Sequence, residues 1–427
     1  MAINSFRSKF INKFACICGC TSLLFTSVIH SATFSVSTDA QLEDAIDDAN
    51  RGDVIELAPG NYADLKIKSR NPSGSSGFLT ITSADKNNLA KLGDIEIESS
   101  TFIKFDTIES QGSGSQVIYI HNGSTDIQIL NSDIHGELID RNNPDGNDIN
   151  AGFGIRVRNG VLRVRIENNY IHDVQDAVAM FSGSYSTLKG NKCDWVRSDC
   201  FKFSGVTNIL FENNFGARNV ARLEDSHVDF VQGQGSVKNS IFRGNVAIMG
   251  STSFQGLFFG GSDENDIHEN NLIENNIIYN DHGNGIYFND RSFGNVVRYN
   301  TVLVTPSSKS YTVRVDGDIK ENNIIISRQS LTRIDSNNNH YIQHVSTSEP
   351  LHYNTYYKDL AKDASLVTIE DFEPVPDSPA VNRAGAFARI YELLGAGGGV
   401  EPEPEPDPTP SVVNPLIVPV LNLILDK

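Results

Sequence analysis

The sequence predicts an all-β solenoid, and three observations carry that prediction. An asparagine recurs at Asn169, Asn191, Asn214, Asn245, Asn276, Asn300 and Asn322, each within the same local pattern of apolar and polar residues. The steps run from 22 to 31 residues, the range in which stacked supersecondary units repeat. Between those asparagines lie short alternating or apolar segments with Gly and Asn at their joints, which is strand chemistry rather than helix chemistry. An amide at the same turn of each coil predicts an internal ladder of side-chain hydrogen bonds. No leucine spacing supports a leucine-rich repeat.

The elements follow in chain order. Residues 1–32 read as a secretory signal: Arg7, Lys9 and Lys13 precede an apolar run over 14–29, and Ser31-Ala32 offers a cleavage site. The run is short for a membrane span. Lipid attachment at Gly19-Cys20 is a weaker reading, because an apolar 23–29 segment would then lead the mature chain. Residues 34–62 contain a helix between two short strands. Ser37-Thr38-Asp39 caps it, Leu42, Ala45, Ile46 and Ala49 line one face, and Arg51-Gly52-Asp53 ends it. Such a helix suits a cap on the open end of a solenoid. The repeats occupy about 76–330, and 377–396 reads as a closing segment. Residues 397–410 contain the acidic proline-rich EPEPEPDPTP linker, and 411–427 form an apolar tail broken by Pro415 and Pro419.

Charge narrows the function. Loss of the signal takes Lys+Arg from 35 to 32 against 53 acids, so the net charge moves from −18 to −21. That excludes general binding to nucleic acid or anionic membranes. A polyanionic substrate would need a local basic patch. Only Cys193 and Cys200 remain after the signal. Export permits a disulfide between them, but strand alternation points Cys193 inward and Cys200 outward and so favours free thiols.

Alignment of the repeats on the asparagine brings a second set of strands into register. Side chains alternate along a strand, so the middle residue of each triplet faces out. The predicted outward stripe is Arg156, Ala179, Lys202, Gln232, Phe258, Tyr287 and Arg314. The longest polar insert, 216–228, carries His227 and is expected on the binding side.

The opening LEDAIDDANRGDVIELAPGNY followed by asparagine-laddered coils resembles the right-handed parallel β-helix proteins of the pectin-lyase-like superfamily, over about residues 33–396. The segments HVDFVQ, QGLFFG and HGNGIYF are similar to a bacterial subgroup with a His-x-Asp-x-x-Gln signature. The resemblance implies a catalytic β-helix with an N-terminal capping helix, acting on acidic polysaccharides. The group includes alginate and chondroitinase-like lyases and mannuronan C5-epimerases. The glycine-rich Ca²⁺-binding nonapeptides of secreted epimerases are missing, and Asp225-Ser226-His227 stands where their Asp-Pro-His motif would be.

The chemistry implied is β-elimination from a uronate. It needs a neutralised carboxylate, a base for the C5 proton and an acid for the leaving O4. Lys202, His227 and Tyr287 are the expected catalytic residues. A lysine base needs burial or cationic neighbours, and Arg197, Arg218 and Arg222 are the cations at hand. His227 titrates in the useful range, with Asp225 or Asp229 to orient it. Gln232 is expected to bind the substrate carboxylate, with Arg222, Arg156, Arg197 and Arg218 gripping carboxylates and Tyr185 as a rival acid. Trp195 is a sugar platform or loop packing. No cofactor or metal is expected, although Asp173, Asp176, Asp199, Asp225 and Asp229 raise Ca²⁺. The expectation is a secreted, periplasmic or surface polysaccharide lyase, with alginate foremost among its substrates, monomeric, with an acidic polysaccharide as its partner. A C5-epimerase and a non-catalytic glycan-binding protein are the alternatives.

Overall fold

One coil shows how the sequence builds the fold. Phe153–Arg158 forms a strand of one sheet, and Asn159-Gly160 turns the chain with both φ angles positive. Leu162–Glu167 joins a second sheet and Tyr170–His172 a third, after which the chain returns to the first at Asp176. Successive coils stack in parallel register, for example Ile155 on Val178 and Ile171 on Cys193. The computed structural model describes residues 31–140, 151–218, 228–248, 254–261, 263, 265–280, 284–304, 312–315, 318–327, 333–343, 353–358, 360, 367–381 and 383–395. Among these, three long sheets wrap one apolar core, and the one antiparallel pairing between strands is that of Arg333–Ile334 with His340–Gln343.

The turn between the second and third sheets explains the recurring asparagine. Its first residue adopts positive φ, as at Asn168, Gly190, Asn213 and Gly244. The next residue is the buried ladder amide. In Asn214, Nδ2 donates to Leu188 O (2.9 Å) and Asn245 Oδ1 (3.2 Å), and the backbone N–H also donates to Asn245 Oδ1 (2.9 Å). The ladder runs through Asn169, Asn191, Asn214, Asn245, Asn276, Asn300, Asn323 and Asn339. The expected rung at Asn322 is therefore corrected to Asn323. Asn322 is the left-handed residue before it, with φ 55°. Asn245→Ala is expected to cost about 3 kcal/mol or more, because it strands the Phe211 carbonyl and two donors of Asn214 away from water. Chemical denaturation of the variant checks this.

The first and last described segments pack as their sequences suggest. Helix Asp39–Asp48 is capped by Thr38 and buries Leu42, Ala45 and Ile46 against the first coils. Arg70 donates to the carbonyls of Ile46, Asp47 and Ala49 at its C-terminal end, where a cation complements the helix dipole. The third sheet's late strands, Ile277–Asn280, Thr301–Val304 and Ile324–Ser327, are buried on both faces. Their outward side chains form a second cluster with Tyr356, Tyr357, Phe387 and Ile390. This explains why these strands read as continuous apolar runs. The closing segment covers the flank of the late coils.

Candidate functional site

The expected stripe exists in the expected register. Tyr119 pairs with Arg156, Arg156 with Ala179, Ala179 with Lys202, and Lys202 with Gln232. Gln232 pairs with Phe258, Phe258 with Tyr287, and Tyr287 with Arg314. Lys202 is held by the residues on either side of it. Phe201 and Phe203 point inward and meet Phe211 edge to face at 4.7 and 5.7 Å. The lysine is thus fixed outward on a rigid aromatic floor. One position departs from expectation: Ala179 has no exposed surface, because a methyl group lies below the reach of the longer side chains beside it.

A second ladder lies two residues ahead of each triplet. Asp176 Oδ1 accepts the Asp199 N–H at 3.1 Å, and Asp199 Oδ1 accepts the Asp229 N–H at 3.0 Å. All three carboxyl groups are buried. Gln255 and Asn284 continue the column, joined by an amide hydrogen bond. An aspartate spends one oxygen on the next coil and keeps the other for the site, which an asparagine would fill with an N–H₂. Asp199 Oδ2 uses it to bind Lys202 Nζ at 3.2 Å. Burial and the neighbouring Asp176 push the Asp199 carboxyl up to about 7, against the pull of Lys202. Burial also raises Asp176. Sequence reading noted the density of these aspartates and missed the ladder. The signal was present in the same alignment that gave the stripe.

The other candidates distribute differently. The cations expected around Lys202 are engaged elsewhere: Arg197 Nη2 donates to Gln175 Oε1 at 2.8 Å, and Arg218 grips Asp194 with two bonds of 2.8 and 2.6 Å while lying over the Trp195 ring. The charged neighbour bound to Lys202 is the acid Asp199. Tyr185 is the second residue of a strand of the second sheet, Ser184–Lys189, and so is removed from the stripe. Tyr287 stacks on Phe258 at 4.7 Å and accepts from Arg314 Nη1 at 3.3 Å. It stands three coils from Lys202, roughly 14 Å at the usual strand spacing. That distance is too great for a proton donor to a sugar at Lys202. His227 and Arg222 lie outside the described residues, as does Asp225.

Cys193 and Cys200 form a disulfide, and both are buried. The expectation of an outward Cys200 fails because Cys200 shares its column with inward Ala177 and Phe230, one residue before the triplet. The bond closes the connection that carries Trp195, Arg197 and Asp199. For a cation, Asp176, Asp199 and Asp229 offer oxygens, but backbone N–H groups and Lys202 already use three of them. Asp173 is bound to His172. A trio of Glu96, Glu98 and His121 lies elsewhere on this sheet, with its acids bound to Lys66 and Lys68 at 2.7 and 2.9 Å.

Residues 93–272 match the family described as "Right handed beta helix region". The described coils form a right-handed parallel β-helix. Among solved structures, the β-helix is similar to the pectate lyase Pel9A at 15% identity and a TM-score of 0.50, over 83% of this chain and 92% of that one. It also matches an alginate lyase from Paenibacillus sp. str. FPU-7 at 14% identity and TM-score 0.47, over 68% and 95% of the two chains. PfbA, a surface adhesin of Streptococcus pneumoniae, matches at 12% identity and TM-score 0.44, over 74% and 90%. These identities speak to the β-helix fold alone. A comparison with curated proteins found no match. No helix among the described residues is long and apolar enough to cross a membrane.

Proposed function

We propose that this β-helix is a polysaccharide lyase that cleaves a uronate polymer, alginate foremost, by β-elimination. The observation that carries the reading is the pairing of Lys202 with Gln232 on adjacent coils, over a buried carboxyl that titrates near neutrality. In the proposed step the C5–H bond breaks toward the free-amine form of Lys202 Nζ, whose lone pair takes the proton, and the C–H electrons pass onto the carboxylate as an enolate. Those electrons form the C4–C5 double bond as the C4–O4 bond breaks with its electron pair leaving on O4, which takes a proton from solvent water. Gln232 donates to the sugar carboxylate and stabilises the charge that develops there. Asp199 is a positioning residue: it fixes the Nζ and, with its raised pKa, can hold a proton beside it at neutral pH. Phe258 and Tyr287 supply a stacked ring platform for sugars farther along the stripe. The polymer is proposed to be met outside the cell, in keeping with the expected signal over residues 1–32.

The test is a screen of purified protein against alginate, pectate, chondroitin and ulvan. A rise in ultraviolet absorbance from unsaturated uronate ends is expected with one of them. Altered uronate composition without that rise would identify an epimerase. Binding with neither change would identify a glycan-binding protein. Either outcome overturns the lyase reading.

A further inference from the structure

We infer that Arg156, walled by Phe153, Phe181 and Tyr119, is a separate carboxylate-binding subsite two coils from Lys202, which grips a second uronate of the same polymer. The inference rests on the proposed polyuronate substrate and deepens it.

Charge pairing along the stripe singles out this residue. Lys66 is bound to Glu96 at 2.7 Å, Lys202 to Asp199 at 3.2 Å, and Arg314 to Asp290. Among the described residues Arg156 has no carboxylate within ion-pair distance. Its one hydrogen bond is a long one, Nη1 to Gln116 Oε1 at 3.5 Å, and its Nε is buried with no acceptor. A half-buried guanidinium left this way is costly unless an anion completes it.

The surroundings hold the group without neutralising it. Its central carbon lies 4.7 Å from the Phe153 ring centre, 5.7 Å from Phe181 and 5.8 Å from Tyr119. Phe153 and Phe181 themselves meet edge to face at 6.2 Å. Ring faces attract a cation and leave its full charge for a ligand. The planar fork then suits a carboxylate, with an apolar wall for the sugar ring.

Position gives the subsite its meaning. Arg156 and Lys202 are two coils apart, about 10 Å at the usual spacing, and a pyranose in an extended chain advances by about one coil. The residue between them, Ala179, is too short to bridge the two cations. Beyond Arg156 the stripe continues to Tyr119 and then to Glu96, whose acid opposes a further uronate. Arg156 therefore marks one end of the binding track.

The experiment compares wild type, Arg156→Ala, Arg156→Lys and Phe181→Leu for affinity, by calorimetry, toward alginate and polygalacturonate oligosaccharides from dimer to hexamer. Circular dichroism confirms the fold of each variant. Wild-type affinity is expected to climb once an oligomer spans both cations. Arg156→Ala is expected to lose about 10- to 100-fold on the long oligomers and nothing on the dimers, with KM raised and kcat kept on polymer. Lysine is expected to restore only part, since it lacks the fork. Phe181→Leu is expected to weaken long oligomers alone. Equal affinity of wild type and Arg156→Ala at every length overturns the inference, whether or not the polymer is cleaved. Arg156-dependent, length-dependent binding without cleavage keeps the subsite and overturns the lyase. Absence of any binding by wild type overturns both.

Discussion

Lys202→Ala is expected to lower turnover of the cleaved polymer by roughly 10²- to 10⁴-fold, the range for loss of a proton-transferring group, with the protein still folded. The fold is expected to survive because Lys202 lies outside the core and Phe201 and Phe203 keep their packing. A condition follows from Asp199. Without the ammonium, Asp199 and Asp176 lose the cation that opposes their raised pKa values. The variant is therefore expected to match wild-type stability at about pH 5.5, where Asp199 is protonated, and to fall behind it above neutrality. Turnover is best compared at the lower pH first. Activity close to wild type in a folded Lys202→Ala protein would remove this residue from the chemistry.

The stripe was legible in the sequence because it needs only two rules: a period that aligns the coils and the alternation of side chains along a strand. The triplets Ile155-Arg156-Val157 and Phe201-Lys202-Phe203 satisfy both, and their register holds to the residue. The same rules failed where a turn intervenes. Asn322 and Asn323 are adjacent asparagines, and only the left-handed φ of the first tells which one enters the ladder. Cys200 precedes its triplet by one residue, where alternation would send it outward, but it lies at the bend where the chain enters the sheet and is turned inward. Tyr185, a rival acid by residue type alone, falls on a second-sheet strand that begins immediately after a turn at Ser182-Gly183, and the alternation along the first sheet says nothing of that placement.

The aspartate ladder was obscure for a different reason. Aspartate at the start of a strand is common as a solvated turn residue, so Asp176, Asp199 and Asp229 read as an acidic loop that invited a cation. Only stacking shows that Asp176 and Asp199 each accept the next coil's backbone N–H, and that burial raises the pKa of both. The partners of Arg218 and Arg197 were likewise invisible, since pairing across coils joins residues more than twenty positions apart. Sequence locates the outward cations. Which of them is left without a counter-charge is a property of the folded stack, and that is why Arg156 rather than Arg218 or Arg197 emerges as the free anion grip.

Two buried groups set opposite limits to stability, and exchanging them is expected to reshape its pH dependence. Asp199 faces Asp176 and Lys202 and is pushed up to about 7. A carboxyl with a raised folded pKa holds its proton more tightly in the native state. Its contribution is complete below the ordinary carboxylate range and is lost as pH rises through about 7, by up to roughly 4 kcal/mol. His268 lies in the core against Phe259 and Phe288, and neither ring nitrogen has a hydrogen-bond partner among the described residues. Burial, with Arg291 adding to it, lowers its pKa to about 4. The unfolded chain takes up that proton near 6.5, so stability falls as pH drops from there toward 4, by up to roughly 3 kcal/mol. The two slopes have opposite sign over the same range, so denaturant midpoints are expected to be nearly level from about pH 4 to 6.5. Asp199→Asn, whose amide oxygen can still accept the Asp229 N–H, is expected to unmask the histidine slope, with midpoints that rise from about pH 4 to 6.5, while cutting kcat roughly 10²-fold and changing its pH profile. His268→Leu is expected to leave the Asp199 slope, with midpoints that fall from about pH 4 to about 7, and to leave kcat alone. A pH profile of stability unchanged in Asp199→Asn would mean that this carboxyl is ionised in the fold like any exposed aspartate, and the proton it is proposed to hold beside Lys202 would not exist.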